Sequence, residues 1–228
     1  ANFIVESMKA FGPMYTSPLF TTINTASGNN FAIPTVDDTT VTAVAHTEGG
    51  AVTDDGGKDV TFGQKTLGAF AFNTEFVRWS AELNADSVLN MESLLGRLLG
   101  ERMARIANSK LTTGSGSSDV EGIMTNAGAG ITAASATAIT SDELIDLIHA
   151  VDPAYRNSPN TAIMMNDSTL KAVRKLKDSQ NRYLWEIGGY AADMPQTILG
   201  YPVVVNQDVA SIATGNKTVL FGDMSAFY

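Results

Sequence analysis

The sequence predicts an α+β fold, and three observations lead to that prediction. Residues 90–111 repeat apolar side chains at the spacing of an amphipathic helix. From residue 140 onward, helical patterns alternate with short β-rich runs. Between residues 40 and 72, two β-rich segments flank a stretch rich in glycine and aspartate, which is typical of a long hairpin. With 228 residues, of which 44% are hydrophobic, the chain has enough apolar material for a sizeable core.

The first 38 residues have the composition of an extended, turn-rich arm. Pro13, Pro18 and Pro34 interrupt them, and residues 25–30 have loop composition. Such a start is unusual for a compact enzyme and ordinary for an arm that lies across a neighbouring subunit. The hairpin follows, with strands predicted at residues 40–45 and 59–72 and a projecting acidic tip at residues 47–58.

The predicted helix at residues 90–111 is the longest element. Gly96 and Gly100 lie one turn apart in it, which indicates close packing of another backbone or a bend. No apolar run in the chain approaches the ~20 residues that span a bilayer, so no membrane contact is expected. The apolar stripe of the helix is expected to be buried and includes Leu94, Leu95, Leu98, Met103 and Ile106.

The segment KLTTGSGSSDVEGIMT, residues 110–125, has the glycine and serine content of a phosphate-binding loop. Such loops run from a strand through the glycines into a helix, whose N-terminus supplies N–H groups to the phosphate. Here the helix comes first, and Gly114 and Gly116 follow it, as glycines do at helix C-termini. The order predicts a turn after a helix and not a nucleotide site.

The remainder of the chain predicts a mixed α/β region with short connections. Thr140 and Glu143 have the spacing of a capping box at the start of a helix that ends before Pro153. A strand is predicted at residues 160–166 and a second helix at 167–178. Two more strands are predicted at residues 201–208 and 217–223.

Composition and motifs argue against several kinds of chemistry. The chain has no cysteine, which excludes disulfides and thiolate nucleophiles. A net charge of −9 argues against tight nucleic-acid binding. His46 and His149 lie on different predicted elements without metal-ligand spacing. No catalytic, cofactor-binding or metal-binding residue is therefore predicted, although a small hydrolase that uses His46 or His149 stays open as an alternative.

One basic cluster is present in this acidic chain. A solvated helix face that pairs with neighbouring acids is one interpretation of it, and a surface for an acidic partner or a DNA backbone is the other. The cluster consists of Lys171, Arg174, Lys175, Lys177 and Arg182.

Several motifs occur in a specific order along almost the whole chain. They are IPTVDDT at residues 33–39, AHTEGGAV and VTFGQKTLGAFAFNTEF in the hairpin region, EGIMTNA after the long helix, AIMMNDSTLKAVRKLKDSQNRYLW, and ILGYPVVVNQDV followed by VLFGDMSAFY. Each is weak alone. In this order the chain resembles the major capsid protein family of tailed bacteriophages, whose fold is shared by encapsulin shells.

The resemblance implies the phage major capsid fold. It assigns an N-terminal arm to residues 1–38, an extended loop to 39–72, a peripheral domain with a spine helix to 73–119 and an axial domain to 120–228. Family members normally continue beyond the Phe-Gly-Asp strand, so the C-terminal completion of the peripheral domain is expected to be absent here, and no crosslink of a loop lysine is assigned. Contacts between subunits are implied for the loop residues Glu48, Asp54, Asp55, Lys58, Phe62 and Lys65.

A structural shell protein without enzymatic activity or cofactor follows from this resemblance. Copies are expected to form hexamers and pentamers of an icosahedral phage head, which encloses double-stranded DNA without sequence-specific binding. Scaffold, portal and decoration proteins are further expected partners, and the expected location is the virion, assembled in the cytoplasm of the bacterial host. An encapsulin-like compartment around an enzyme cargo is the nearest alternative.

Overall fold

The computed structural model describes residues 12–23, 28–52, 58–78, 80, 91–185 and 197–227. The chain divides into two compact units. One, called here the hairpin unit, covers residues 24–71, and the other, called the main unit, covers residues 1–23 and 72–228. Each unit is described by itself.

The hairpin unit contains two antiparallel strands, β1 (Phe31–Val36) and β2 (Phe62–Leu67). Phe31 lies opposite Leu67, and Val36 lies opposite Phe62. The predicted second strand is confirmed over residues 62–67, whereas the prediction of a first strand at residues 40–45 is wrong. Those residues lie in the connection between the strands, where no strand lies opposite them, and β propensity without a pairing partner does not make a strand.

Pro34 gives the two outer edges of this hairpin different hydrogen-bonding capacity. It lies opposite Gln64 and has no N–H, so the two residues form a non-hydrogen-bonded pair of the antiparallel ladder. The backbone groups of Ala32, Pro34 and Val36 therefore point to the outer edge of β1. That edge lacks one donor at its centre, whereas the outer edge of β2 keeps all of its donors.

The first described residues of the main unit pack against their own chain. Residues Pro13–Thr16 form a helical turn, α1, and Met14 is buried with 5% exposure. Phe20 meets Phe227 edge to face, with ring centroids 6.3 Å apart. Gly12, at φ 86°, allows the turn that inserts Met14 into the core, so this segment packs on its own chain, and the contact of the arm with a neighbouring subunit stays a prediction.

The predicted long helix is present as α2 (Met91–Thr113) and packs against α1 and α3 (Ile123–Asn126). The prediction that Leu98 and Ile106 are core residues is wrong for the single chain, because each is 36% exposed. Small side chains form the buried side, which lets other backbones approach closely and turns the bulky ones outward. Leu94, Leu95 and Met103 are partly buried. The buried residues of α2 are Gly100, Ala104, Ala107, Asn108 and Thr112.

A buried polar network joins α2 to the rest of the main unit. The Asn108 side-chain amide donates to Asn206 Oδ1 at 2.9 Å and to a carboxylate oxygen of Asp208. Asn206 Nδ2 donates to Thr112 Oγ1 at 2.8 Å, and Thr112 Oγ1 donates to the Asn108 carbonyl at 2.7 Å. Asn108 Oδ1 also accepts from the Met14 N–H at 3.5 Å. Three segments distant in sequence therefore share one set of hydrogen bonds.

The remaining elements form a mixed sheet with helices. In chain order they are α4 (Ser141–His149), α5 (Pro153–Arg156), β3 (Thr161–Met165), α6 (Asp167–Arg174), β4 (Thr197–Ile198), β5 (Tyr201–Val205), β6 (Val219–Asp223) and a final 3₁₀ turn (Met224–Ala226). The strand order is β4-β5-β3-β6, with β3 parallel to β5 and antiparallel to β6. The predicted capping box of Thr140 and Glu143 is confirmed, as are the strands over residues 161–165, 201–205 and 219–223.

Strand β3 is buried on both faces and separates two apolar cores. Ile163 and Met165 face one core with α4 and α6, and Ala162 and Met164 face the other with Met14. The second predicted helix ends at Arg174 and not at residue 178. The residues after it form a turn in which Asp178 Oδ1 accepts the Gln180 and Arg182 backbone N–H groups at 2.8 and 2.9 Å.

Ala104 gives a test of the buried side of α2. It has no exposed surface, so Ala104→Leu forces a larger side chain into a packed contact, at a cost of about 1–3 kcal/mol in unfolding free energy. Urea unfolding of the unassembled subunit measures this loss. Leu98→Ala is the control and should cost less, since Leu98 is 36% exposed. A larger loss for Leu98→Ala would show that the buried side of the helix is assigned wrongly.

Candidate self-association surface

The hairpin unit exposes large apolar side chains on both faces of its two strands. On one face, Val36 and Phe62 form a cross-strand pair that is 51% and 77% exposed. On the other face, Phe31 is 46% exposed opposite Leu67. A two-stranded hairpin with uncovered apolar faces is only marginally stable in water. Such a surface is typical of a site that another protein covers.

The hairpin unit also carries exposed charged groups. Glu48, Lys58 and Lys65, for which contacts between subunits are predicted, are exposed in the single chain, and Lys58 Nζ donates to the Thr42 carbonyl at 3.0 Å. Asp37 accepts from the Thr39 hydroxyl and backbone N–H, and these hydrogen bonds lower the pKa of Asp37, the hydroxyl contributing most. Two of the predicted contact residues, Asp54 and Asp55, lie outside the described residues.

The outer side of α2 carries a second uncovered apolar surface, now with positive charge. Leu98, Arg102 and Ile106 follow one another at four-residue spacing and therefore share one side of the helix. Arg97 and Arg105 are exposed beside them. Sequence analysis missed this surface because its apolar residues were assigned to the core. The small residues at 100, 104 and 107 were the available signal for the true buried side.

The glycine and serine loop after α2 binds its own aspartate. Asp119 Oδ1 accepts from the Ser115 N–H at 2.9 Å and from the Ser115 hydroxyl at 2.6 Å, while Oδ2 pairs with Lys110. Gly114 donates to the Lys110 carbonyl at 2.8 Å, and a Cβ there would lie 2.0 Å from the Val120 carbonyl oxygen. The Ser115 donors already bind Asp119, and the glycines follow the end of α2 at Thr113, so the loop is a helix C-terminal turn, as predicted.

The two histidines of the chain lie in different units. His46 lies exposed in the hairpin unit, and His149 ends α4, with its Nδ1 2.8 Å from Arg156 Nη1. Among the described residues, no group of three His, Asp or Glu side chains is arranged to hold a metal ion. None of the described helices is both long and apolar enough to cross a bilayer.

Comparisons with known proteins agree with one another. The model of the phage capsid family matches residues 1–228. The chain is similar to the capsid protein of the native GTA particle, at 24% identity, 91% coverage of this chain, 72% of that chain and a TM-score of 0.77. The capsid of the empty GTA particle is 24% identical, with 91% of this chain and 72% of that chain covered and a TM-score of 0.75. A structure from Microbacterium phage Oxtober96 is 16% identical, with 91% of this chain and 69% of that chain covered and a TM-score of 0.60. A search of curated proteins finds no match.

Asp119 gives a pH-dependent test of the loop after α2. Its pKa is held well below the ordinary value, first by the Lys110 ammonium and then by the Ser115 hydroxyl. A carboxylate with a lowered folded-state pKa stabilises the fold above the unfolded-state pKa and loses that contribution in acid. Asp119→Asn should therefore lower the melting temperature at pH 7, and the difference from the wild type should shrink below about pH 4.

The control for this measurement is Asp38→Asn, which removes the same charge from an exposed carboxylate of the hairpin unit. It should leave the melting temperature of the main unit unchanged. Melting curves recorded from pH 7 to pH 3 compare the three proteins. A difference between Asp119→Asn and wild type that does not change with pH would contradict the role given to this carboxylate.

Proposed function

The chain belongs to the phage capsid family and is a major capsid structural protein, and from that premise we propose how it assembles. Many copies form hexamers and pentamers, which close into an icosahedral head around double-stranded DNA. Scaffold, portal or decoration proteins join the same shell, and assembly takes place in the bacterial cytoplasm. The observation that carries this proposal is the large uncovered apolar surface of the hairpin unit, with Phe62 77% exposed.

The hairpin unit of one copy docks on the outer side of α2 in another copy. Apolar groups are available on both sides of this contact, Phe62 and Val36 on the hairpin and Leu98 and Ile106 on the helix. Burying a fully exposed side chain of this size contributes about 1.5–3 kcal/mol before the cost of ordering, and the gain is smaller for Leu98 and Ile106, which are 36% exposed. Neither surface is covered by the described residues of its own unit.

Charge supports the same pairing. The described part of the hairpin unit carries more carboxylates than ammonium groups, with Glu48 and Asp59 exposed near the tip. The outer side of α2 presents the guanidinium groups of Arg97, Arg102 and Arg105. Opposite charges across an interface steer association and fix its register more than they add affinity. In each such contact between two copies, carboxylates of the hairpin unit lie near guanidinium groups of α2.

The domain assignment follows the same reasoning. The extended loop at 39–72, the peripheral domain with α2 as its spine helix at 73–119 and the axial domain at 120–228 are retained as proposals. The loop start moves back to include β1, because residues 31–36 pair with residues 62–67. The arm, predicted at residues 1–38, then ends before β1, and its segment from Gly12 to Ile23 packs on its own chain. The contacts between copies are made by the loop, at Glu48, Asp54, Asp55, Lys58, Phe62 and Lys65. Lys65 lies on β2 opposite Ile33, in the same strand as Phe62.

Electron microscopy of the purified protein tests the function itself. Closed shells that contain DNA are the expected result. Shells that contain an enzyme would instead support an encapsulin-like compartment. A monomer at all concentrations in sedimentation would contradict both.

Phe62→Asp tests the docking surface. The change puts a carboxylate where an apolar contact with another copy is proposed, and such a group is costly to bury. Because Phe62 is 77% exposed in the chain, the subunit should keep its melting temperature. Sedimentation of the assembly mixture should show shells reduced at least tenfold. Leu98→Asp on the other surface should act in the same way.

Gln64→Asp is the matched control, since Gln64 lies two residues away on the same face of β2 and adds the same charge without removing an apolar group. It should reduce assembly less than Phe62→Asp. Normal shells from Phe62→Asp, or an unfolded subunit, would each contradict the docking surface.

A further inference from the structure

Helix α6 and the turn after it concentrate positive charge on an acidic protein. Five of the 15 basic residues of the chain lie between residues 171 and 182, although the whole chain has a net charge of −9. The two carboxylates of this stretch are Asp167, at the start of α6, and Asp178 in the turn. The stretch therefore carries a net positive charge within an acidic chain. The proposed docking of the hairpin unit on α2 does not involve these residues.

The lysines of α6 point away from the core. Thr169, Leu170 and Val173 are buried on the sheet side of the helix, whereas Lys171 and Lys175 are exposed on the opposite side, one turn apart. Their place at the C-terminal end of the helix is favourable for cations. Among the described residues, neither lysine has a carboxylate within ion-pairing distance. Their ammonium groups are therefore available to an anion from outside.

The turn after α6 holds further cations in a fixed arrangement. Asp178 builds the turn through the backbone of Gln180 and Arg182 and also pairs with the Arg182 guanidinium at 2.8 Å. The Lys177 ammonium lies 4.9 Å from the centroid of the Tyr183 ring. The aromatic ring holds the cation from one side and leaves its other N–H groups free to donate.

Arg174 is held in the same way beside the helix. Its guanidinium carbon lies 5.2 Å from the centroid of the Trp185 ring. The Arg174 Nε–H has no hydrogen-bond partner among the described residues. A guanidinium stacked on an indole keeps a planar edge of donors that matches the oxygens of a phosphate. Lys171, Arg174, Lys175 and Lys177 are called here the basic surface.

We infer that the basic surface binds the phosphate backbone of the enclosed DNA, in any sequence. The inference rests on the proposed function, which places DNA inside the shell. Phosphate contacts are made by cations together with hydroxyl and amide groups, and Tyr183 and Gln180 provide such groups beside the basic surface. The exposed residues of α6, which include Ser168 and Lys171, are polar, as a phosphate backbone requires. Leu184, 52% exposed after the turn, is the apolar residue that an acidic protein partner could contact, and the test below distinguishes that partner from DNA.

The expected affinity of one copy is low, because the other charges of the chain repel DNA. Repetition of the basic surface in a closed shell compensates for this, since many weak contacts act on one molecule at high effective concentration. Each contact releases counterions, so the binding must weaken as salt rises. DNA is then held near the wall without being fixed at any one position.

The test measures binding of a fluorescently labelled, random-sequence duplex DNA to the unassembled full-length subunit at several salt concentrations. Lys171→Ala/Lys175→Ala should weaken binding and reduce the slope of log K against log salt by about 2, one unit for each lost phosphate contact. Arg78→Ala/Arg156→Ala removes the same charge from positions outside the basic surface and outside the proposed contacts between copies, and is the control. Its slope should stay close to that of the wild type.

Electron microscopy of shells from the same variants separates this inference from the proposed function. Lys171→Ala/Lys175→Ala should still form closed shells, now with less DNA retained after the shells are opened at physiological salt. An unchanged salt slope, with normal shells, would overturn the basic surface and leave the capsid function intact. Loss of shells with an unchanged slope would also overturn it, because the surface would then bind an acidic protein. Failure of the wild type to form shells would count against the proposed function alone.

Discussion

The side-chain amides of Asn108 and Asn206 hold the long helix on the sheet, and the other features of the chain depend on this connection. Asn206 follows β5, and its N–H donates to Met165 at the end of β3 at 2.9 Å. Its side-chain amide donates a hydrogen bond to Thr112 and accepts one from Asn108, both on α2. A buried amide that loses a partner costs about 1–3 kcal/mol, so a shift of the helix along the sheet would leave several such groups unsatisfied. The network therefore specifies one position for α2.

This fixed position decides which surfaces stay uncovered. Gly100 and Ala104 form the side of α2 that is buried against the rest of the main unit. Leu98 and Ile106 therefore face outward with the arginines of the same helix. The hairpin unit likewise exposes Phe62 and Val36. A subunit of this kind does not bury its full apolar surface alone. Its stability depends on subunit concentration, since association supplies the missing burial by mass action.

The sequence predicted those parts of the structure that local chemistry determines. The capping box of Thr140 and Glu143, the buried strand β3 and the turn at Gly114 each follow from neighbouring residues. The order of weak motifs was enough for the family. Helical periodicity did not show which side of α2 is buried, because small and large apolar residues alternate around the helix. The Asn108–Asn206 contact joins residues 98 positions apart, and no local sequence pattern predicts it. The pairing of residues 31–36 with 62–67 was missed for the same reason.

Copies held at the high local concentration of a shell face a competing process, in which strands stack edge to edge into open-ended fibres. Growth of such a fibre needs both edges of the hairpin to accept a new strand. Pro34 removes a donor from the middle of the outer edge of β1, so continuous bonding is available beside β2 only. A stack started there would have to continue through the β1 edge, where the added strand loses a hydrogen bond at Pro34. The proline thus disfavours growth of a fibre through the backbone of the exposed hairpin, while side-chain contacts of the kind used in a closed shell are unaffected.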